Sequence, residues 1–401
     1  MVTGARGQLA LVAVVQVLVL SLWFSASAVV PALRAEWGLS DQGAVWLTAV
    51  VQIGFAAGAV VSAVLNLADR IPPPMLVAGS ALLGAGATAA VALTVHSAAA
   101  ALPLRFLTGF ALAGVYPVGM KIVVSWFPQA RGTALGVLIG ALTLGSALPQ
   151  LLAAVNPVDW PAVLLGAAGL AVLGAGLCAA SVRLGPHARP SPPLEPRYVL
   201  RMFADRPQRL VNLGYFGHMW ELYALWAWLP AYVAASYAAW SPGADTTGAV
   251  RATAFVTIGV AGAAGCVVAG RLADRYGRAL VAMVAMLVSG ACGLISVAVF
   301  GLHPALVVVL LLVWGASVIA DSAQFSAALS EVADPRYVGT ALTAQTAIGF
   351  LLTVVTIQAL PVLADAVGWR AAVPLLALGP LLGAAAMGAL HRSGVLARGR
   401  A

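Results

Sequence analysis

Apolar residues run along this chain in long unbroken stretches that are separated by short polar segments. A helix needs about 20 residues to cross the hydrocarbon layer of a bilayer. The stretches have this length and do not alternate with polar residues, so they predict helices and not the strands of a membrane barrel. The predicted spans cover residues 9–33, 43–66, 75–95, 99–121, 132–155, 161–182, 210–236, 248–271, 279–300, 303–325, 338–362 and 370–391.

The composition excludes a water-soluble globular protein. Of 401 residues, 62% are hydrophobic and 8% are charged, whereas soluble domains carry roughly 25% charged residues. A chain with so few charges cannot cover its core with a polar shell, so we expect the lipid bilayer to surround it. No segment is polar enough for a separate catalytic domain. The first apolar stretch is too long for a signal peptide and is followed at once by others, so we interpret it as a span.

The basic residues indicate how the chain is oriented. Its net charge is +8, and with the N-terminus inside, only Arg34, Arg251 and Arg370 fall in outside loops. Arg105 falls within a span, and all other basic residues fall in inside loops or tails. This bias predicts an even number of spans with both termini cytoplasmic, in a multi-pass protein of the cytoplasmic (inner) membrane. We expect no nucleic-acid partner, because that would need a basic face on a polar domain.

Two segments near the ends of spans occur twice. Leu-Ala-Asp-Arg occupies residues 67–70 and again 272–275, an offset of 205. Gly-Thr-Ala-Leu occupies residues 132–135 and again 339–342, an offset of 207. Two matches at nearly one offset indicate a duplicated six-helix unit, which is an architecture of membrane transporters.

The repeat divides the chain into three parts. The one long connection is basic and rich in proline, and we place the boundary between the halves there. The predicted organisation is an N-terminal six-helix bundle at residues 1–182, a cytoplasmic linker at 183–209 and a C-terminal six-helix bundle at 210–401. The predicted fold is therefore an all-α integral membrane protein of 12 transmembrane helices in two pseudo-symmetric bundles.

A loop between the eighth and ninth spans identifies a family. The segment at residues 270–278, Gly-Arg-Leu-Ala-Asp-Arg-Tyr-Gly-Arg, resembles the signature loop of the major facilitator superfamily. Its first-half copy is degraded, with Leu65 and Pro72 at the glycine positions. The segment at residues 105–109 resembles the fourth-span motif of that superfamily. The resemblance implies a secondary active transporter that works by alternating access, and not an enzyme.

The signature loops contain the predicted gating residues. Asp69 and Asp274 could each meet the N-terminus of a helix from the other half, near Gly339 and Gly132. The positive end of that helix would attract the carboxylate in one state and release it in the other. The alternative is a solvated turn that only sets topology. The predicted gating motif comprises Asp69, Arg70, Gly270, Asp274, Arg275, Gly277 and Arg278.

Charged groups inside the bilayer are costly and are usually functional. Glu221 lies near mid-membrane, and His218 is three residues earlier on nearly the same helix face. A carboxyl group buried there could load and unload a proton, although the two residues could also form a structural pair or touch the solute. Arg105 could pair with an acidic residue or attract an anion, and its counterpart in the family is often associated with proton-coupled carriers. We predict that Glu221, His218 and Arg105 couple transport to protons.

Polar and aromatic residues deep in the spans are candidates for the substrate cavity. They are Trp220, Tyr223, Asp321, Gln324, Gln52 and Gln345. Asp321 could instead snorkel towards the cytoplasmic end of its span.

The solute is predicted only by class. The chain lacks the Gly-Pro pair that drug–proton antiporters carry in the fifth span, and it lacks the second-span Arg of nitrate carriers. We therefore predict a small polar or anionic solute with a proton as coupling ion. The alternatives are an efflux antiporter for drugs or metabolites, or a transporter-like sensor that does not transport. We expect a functional monomer with no catalytic residues, cofactor or metal.

Overall fold

The computed structural model describes residues 4–127, 131–155, 159–188 and 194–398, and these residues form helices and connecting turns without a strand. Ten helices within these ranges are long and apolar enough to cross a membrane. The first predicted span is a broken helix, Ala5–Leu20 followed after a turn by Val30–Trp37. The seventh predicted span is the long helix Arg206–Trp240, which is not one of these ten helices.

Six helices form the N-terminal half. They are α1 (Ala5–Leu20), α2 (Asp41–Val64), α3 (Pro73–Thr94), α4 (Ala98–Leu112 and Tyr116–Trp126), α5 (Arg131–Val155) and α6 (Trp160–Ser181).

Six more form the C-terminal half. They are α7 (Arg206–Trp240), α8 (Thr247–Phe255 and Gly262–Tyr276, joined by a π-helical turn at Val256–Ala261), α9 (Arg278–Val299), α10 (Pro304–Val318 and Ser322–Val332), α11 (Val338–Val367) and α12 (Trp369–Ala372 and Leu378–Ser393, joined by a 3₁₀ turn at Val373–Ala377). A short helix, Tyr198–Ala204, precedes α7 and buries Tyr198 and Met202. The proline-rich centre of the predicted linker, residues 189–193, lies outside the described residues.

The internal repeat is visible in the shape of α4 and α10. Both helices break after 15 residues and resume as 11-residue segments, and every bound in α10 lies 206 positions after its counterpart in α4. In α4 the second segment restarts with Pro117 in its first turn, where a missing N–H costs no hydrogen bond. These paired breaks place Tyr116 and Ser322 at equivalent positions in the two halves, so Asp321 corresponds to Val115.

Small residues bring α5 and α8 into close contact across the two halves. A Cβ atom added to Gly136 would overlap the carbonyl oxygen of Cys266, and one added to Gly140 would press on Ala263. Such backbone approach requires glycine at these positions. The glycines of the fifth span therefore allow the two halves to pack closely.

We call the end of the molecule that carries Asp69 and Asp274 the inner side, because the charge distribution predicts that it is cytoplasmic. The opposite end is the outer side.

Candidate functional site

A small cavity lies at the centre of the molecule, where helices of both halves meet. Its volume is about 30 Å³, which is room for about one water molecule. We call it the central pocket. Side chains of α4, α5, α7, α10 and α11 border it: Tyr116, Met120, Ile139, Leu142, Tyr215, His218, Met219, Leu222, Tyr223, Ile319, Ser322, Ser326, Thr346 and Phe350.

His218 is the histidine that borders the pocket, and it is paired with Asp321. Its Nδ1 lies 2.8 Å from Oδ1 of Asp321, and both side chains are almost completely buried. The distance is that of an ion pair, but the atoms are not aligned as in a regular hydrogen bond. The Nε2 atom of His218 has no hydrogen-bond partner among the described residues. The break in α10 at residues 319–321 places Asp321 beside the imidazole ring.

Glu221 lies one turn away from His218 but faces the interior of the C-terminal half. Its Oε2 accepts a hydrogen bond of 2.8 Å from the hydroxyl of Ser289 on α9. Its Oε1 accepts one of 2.7 Å from the indole N–H of Trp314 on α10. Glu221 therefore does not border the central pocket, and the predicted pairing of Glu221 with His218 is replaced by the contact of His218 with Asp321.

A larger cavity, which we call the vestibule, adjoins the central pocket on the inner side. Its volume is about 400 Å³, and Met120, Ser326 and Thr346 border both spaces. The inner ends of α2 and α11 form opposite walls, which include Asn66 and Gly339. The charged residues of its wall are Lys121, Arg131, Arg278 and Glu331. Lys121 is paired with Asp69 and Arg278 with Glu331, so the excess positive charge of this wall comes from Arg131.

Aromatic side chains of both halves close the path on the outer side of the pocket. Trp23 stacks on Tyr223 with their ring centroids 5.6 Å apart, and it lies 4.9 Å from Phe55. Phe55 in turn lies 4.3 Å from Phe350, and Phe24 contacts Tyr223 as well. We call these five residues the aromatic plug.

Polar contacts join the two halves further out. The amide of Gln42 on α2 donates a hydrogen bond of 3.1 Å to Gln358 on α11. Arg251 on α8 donates a hydrogen bond to the carbonyl oxygen of Ala153 in the last turn of α5. The central pocket is thus adjacent to a wide space on the inner side and separated from the outer side.

The second-half signature loop contacts the other half in the predicted place. Oδ1 of Asp274 accepts a hydrogen bond of 3.0 Å from the backbone N–H of Gly132. Its Oδ2 accepts bonds from the backbone N–H of Thr133 at 2.9 Å and from its hydroxyl at 2.8 Å. These donors belong to the first turn of α5, where backbone N–H groups lack intrahelical partners. A Cβ atom at Gly270 would overlap the carbonyl oxygen of Gly132.

The end of this loop has its own local structure. Gly277 has a φ of +99°, which other residues adopt only with strain, and it separates α8 from α9. Arg275 lies over the ring of Tyr276, and Nε of Arg278 pairs with Glu331 at 2.5 Å. These contacts of Arg275 and Arg278 are made within the C-terminal half and do not reach the N-terminal half.

The first-half copy of the loop is arranged differently. Asp69 forms an ion pair of 2.5 Å with Lys121 of α4, which belongs to its own half. Gly339 borders the vestibule instead of meeting Asp69, so the predicted contact with α11 is not made in this structure. Arg70 is exposed. The two copies therefore differ because α11 stands away from the inner end of α2.

Arg105 is completely buried and bonds to the main chain of the broken first span. Its guanidinium donates to the carbonyl oxygens of Leu22 and Trp23, the latter at 2.7 Å, and to the hydroxyl of Ser25 at 3.2 Å. These carbonyls lie in the turn after α1 that helix geometry leaves without N–H partners. We expected Arg105 to pair with an acidic residue or an anion, but its acceptors in these contacts are carbonyl oxygens and a hydroxyl group. Arg105 holds the turn that carries Trp23 into the aromatic plug.

Five of the six predicted cavity residues do not border the central pocket or the vestibule, and one of the five is Asp321, which contacts His218. The indole of Trp220 donates to the carbonyl oxygen of Leu375 near α12. The amide of Gln345 donates to Asn212 of α7 at 3.0 Å. Gln52 and Gln324 are fully buried, and their amide groups have no hydrogen-bond partner among the described residues.

The sequence interpretation missed several pocket residues. Tyr116, Tyr215 and Phe350 supply most of its aromatic wall, and Ser322 and Ser326 supply hydroxyl groups. The turn before Pro117 was a signal for Tyr116, because a helix that restarts in mid-membrane exposes its first residues to a cavity. The serines gave no such signal, since serine is common in membrane helices.

Comparisons with known proteins agree with this architecture. The structure superposes on that of the proton:xylose symporter XylE with a TM-score of 0.73 at 14% identity, covering 96% of this chain and 95% of that chain. It superposes on the nucleoside transporter NupG (D323A mutant) with a TM-score of 0.71 at 14% identity, covering 96% and 100%. For an inward-facing, unoccupied bacterial homologue of the human lysosomal transporter Spinster, the TM-score is 0.69 at 15% identity, with 98% of each chain covered.

A sequence relative and a family model complete the comparison. A Bacillus subtilis (strain 168) protein, NiaP, named as a niacin/nicotinamide transporter, is 28% identical over 227 residues. The match covers 51% of this chain and 52% of NiaP, so it spans about half the length of that relative. The model of the Major Facilitator Superfamily matches residues 12–357. The chain is therefore a multi-pass membrane protein that belongs to the major facilitator superfamily.

Proposed function

We propose that this protein is a proton-coupled carrier that moves a small polar or anionic solute by alternating access. The observation that carries the proposal is the position of His218, which borders a central pocket between the two halves and is paired behind it with Asp321. A titratable pair at the place where a solute would pass can link proton binding to solute binding.

The surroundings of the pocket support alternating access. The vestibule adjoins the pocket on the inner side, while the aromatic plug and the Gln42–Gln358 contact separate the pocket from the outer side. Transport then requires a second state in which the plug opens and the inner ends of α2 and α11 meet. In that state the backbone N–H of Gly339 would donate to the carboxylate of Asp69, as the backbone N–H of Gly132 donates to Asp274 here.

The charge of the vestibule supports a polar or anionic solute. Its wall carries Lys121, paired with Asp69, Arg278, paired with Glu331, and Arg131, which supplies the excess positive charge. A cavity lined by one sign of charge raises the local concentration of the opposite ion. The relatives are named for small solutes with several polar atoms, namely niacin/nicotinamide, nucleosides and xylose.

The contacts favour His218 and Asp321 over Glu221 and Arg105 as the coupling groups. Both carboxylate oxygens of Glu221 are bonded within the C-terminal half. Arg105 is engaged by the main chain of the first span. Of these four residues, only His218 borders the pocket, and its Nε2 has no hydrogen-bond partner among the described residues.

Transport in liposomes tests the proposal. Purified protein would be reconstituted, loaded with one unlabelled solute at a time and assayed for uptake of the same radiolabelled solute, using nicotinate, nicotinamide, uridine and xylose. We expect counterflow of at least one solute, and its accumulation when a proton gradient is imposed.

Two carboxyl variants separate coupling from binding. Asp321→Asn should retain counterflow and lose accumulation driven by the proton gradient, whereas Glu221→Gln should retain both. If Asp321→Asn still accumulates solute under a proton gradient alone, this pair is not the coupling site. A protein that binds a solute but exchanges none would instead be a sensor.

A further inference from the structure

We infer that the end of the linker, residues 194–204, holds the inner side open by bonding to the start of α11, where Asp69 must bind for the inner side to close. We call this segment the strap. The inference rests on the alternating access of the proposed function and adds to it a control element outside the central pocket.

The corresponding threonines at the starts of α5 and α11 have different partners. Thr133 and Thr340 are 207 positions apart, and each is the third residue of its helix. The hydroxyl of Thr133 donates to Asp274 at 2.8 Å, in the contact that joins α5 to α8. The hydroxyl of Thr340 accepts a hydrogen bond of 2.9 Å from the backbone N–H of Glu195 in the strap. The strap therefore binds the residue whose counterpart makes the closed contact.

A tight turn at Pro196 sets the direction of the strap. The backbone N–H of Tyr198 donates to the carbonyl oxygen of Glu195 at 3.0 Å and so closes a four-residue turn. Proline is favoured at the second position of such a turn, because its ring fixes the backbone angle φ that the turn needs. The carboxylate of Glu195 accepts a bond of 3.3 Å from the backbone N–H of Arg197. The turn thus fixes Glu195 with its N–H directed at α11.

Tyr198 attaches the strap to the loop before α11. Its hydroxyl accepts a bond of 3.1 Å from the backbone N–H of Asp334 and donates one of 3.1 Å to the side chain of Gln208 in the first turn of α7. Its ring stacks on that of Tyr337 with the ring centroids 4.6 Å apart. Met202, four residues later on the same face of the short helix, is buried as well. The strap is therefore anchored by packing and by hydrogen bonds.

Closing the inner side would remove the space beside the strap. Leu194 borders the vestibule, and so does Ala68, the neighbour of Asp69. For Asp69 to meet the start of α11, the inner end of α2 must move across the vestibule towards Leu194. Thr340 is already buried with the strap in place. Closure therefore requires that Leu194 and Glu195 leave, and the anchored part of the strap opposes this movement.

The strap acts on one of the two inner contacts. The duplicated chain has one connection between its halves, and this connection ends at α7, beside the loop before α11. The start of α5 bonds Asp274 instead. The two copies of the signature loop therefore differ for a reason that lies in the chain itself, since the linker joins the halves only once.

Labelling from the two sides of the membrane tests the strap in the full-length protein. One reporter cysteine replaces Phe24, which is buried in the aromatic plug, and another replaces Ser62 on the vestibule wall. Each is placed in a protein whose own cysteines are replaced by serine, namely Cys178, Cys266 and Cys292. A membrane-impermeant maleimide is applied to right-side-out vesicles for the first reporter and to inside-out vesicles for the second.

The main variant is Tyr198→Phe, which removes both hydrogen bonds of the hydroxyl and keeps the ring. Each such bond shifts an equilibrium by a few-fold, so we expect the cysteine at position 24 to be labelled about tenfold faster. The cysteine at position 62 should not be labelled faster, because molecules that open on the outer side are closed on the inner side.

The second variant is Glu195→Pro, which removes the N–H that bonds Thr340. It should accelerate labelling at position 24 by about fivefold, whereas Glu195→Ala keeps that N–H and should leave the rate close to that of the parent. Tyr232→Phe is the control for the loss of a tyrosine hydroxyl, since Tyr232 donates to the carbonyl oxygen of Ser296 within the C-terminal half. Its rate should also match that of the parent.

Three outcomes would overturn the inference. The strap does not hold the inner side open if labelling at position 24 is unchanged in Tyr198→Phe. The bond to Thr340 is not the reason if Glu195→Pro and Glu195→Ala accelerate labelling equally. Faster labelling at both reporter positions means that the variants loosen the protein without shifting it between states.

Counterflow by the parent protein distinguishes these results from failure of the proposed function. A parent that exchanges solute keeps the proposed function even when the strap variants contradict the inference. Absence of counterflow for every solute contradicts the proposed function itself, whatever the labelling rates are.

Discussion

Removing the carboxylate of Asp274 should loosen the contact between α5 and α8 at the inner side. Asp274 accepts three hydrogen bonds from Gly132 and Thr133 at the N-terminus of α5. Hydrogen bonds to a charged group and the charge of a helix end each contribute favourably. Because Asp274 is half-buried, water would satisfy part of the hydrogen bonding that the carboxylate provides. We therefore expect Asp274→Ala to destabilise the α5–α8 contact by about 2 kcal/mol.

A loss of this size should increase the population with α5 and α8 separated by roughly 30-fold. Cys266 reports the separation, because it is buried and its backbone lies against Gly136 of α5. The assay measures the rate at which a membrane-permeant maleimide labels Cys266 after the other two cysteines, Cys178 and Cys292, are replaced by serine. We expect labelling to be faster in Asp274→Ala by the same factor.

The matched control is Asp69→Ala in the first-half copy of the loop. Asp69 pairs with Lys121 of its own half, so its removal should leave the labelling rate of Cys266 close to that of the parent. Equal rates in the parent and Asp274→Ala, or equal acceleration by both variants, would refute the assignment of Asp274 as the inner contact between the halves.

Three further predictions follow from single contacts. Arg105→Gln removes charged donors from buried carbonyl oxygens, and it should destabilise the detergent-solubilised protein by about 3 kcal/mol in thermal unfolding; an unchanged melting temperature would contradict this role. Gly136→Leu places a side chain where the backbone of α8 lies and should abolish transport, whereas Gly86→Leu, at a glycine with open space around it, should retain it. Hydrogen bonds from Arg336 lower the pKa of Asp334 to about 2. That contact is complete above the ordinary carboxyl pKa of about 4 and is lost only as pH falls through about 2. Asp334→Asn should therefore leave the pH profile of transport between pH 5 and about 8 unchanged, and a shifted profile would show that the contact takes part in coupling.

The gating motif was predictable because its chemistry is local. A carboxylate at a fixed place in a short loop, with a glycine-rich helix start at the matching place in the other half, predicted the contact of Asp274 with Gly132. The same reasoning applied to Asp69 gave a contact that this structure does not make. The sequence cannot show which of the two aspartates makes its contact, because that depends on whether α5 and α8 or α2 and α11 are close together in a given state.

The intramembrane charges show the opposite case. Helical spacing placed His218 and Glu221 on nearly the same face of α7, and that placement holds. Their partners come from α9 and α10. The small difference in direction between the two side chains decides that His218 meets the pocket and that Glu221 meets Ser289 and Trp314. Spacing along one helix contains no information about its neighbours, so it could not assign different roles to the two residues.

The sequence by itself determined that the chain lies in a bilayer as a duplicated helical transporter. Apolar runs of a fixed length have one stable solution in lipid, since every backbone polar group must be satisfied within the helix. The tertiary structure alone decided which polar groups border the pocket. In the structure, Trp220 and Gln345 lie outside the cavity in which they were predicted, and Asp321 contacts His218. Arg105, predicted to bind a charged group, bonds to the main chain of the broken first span. Such placements depend on helix rotation and crossing, which are set by the packing of many side chains at once.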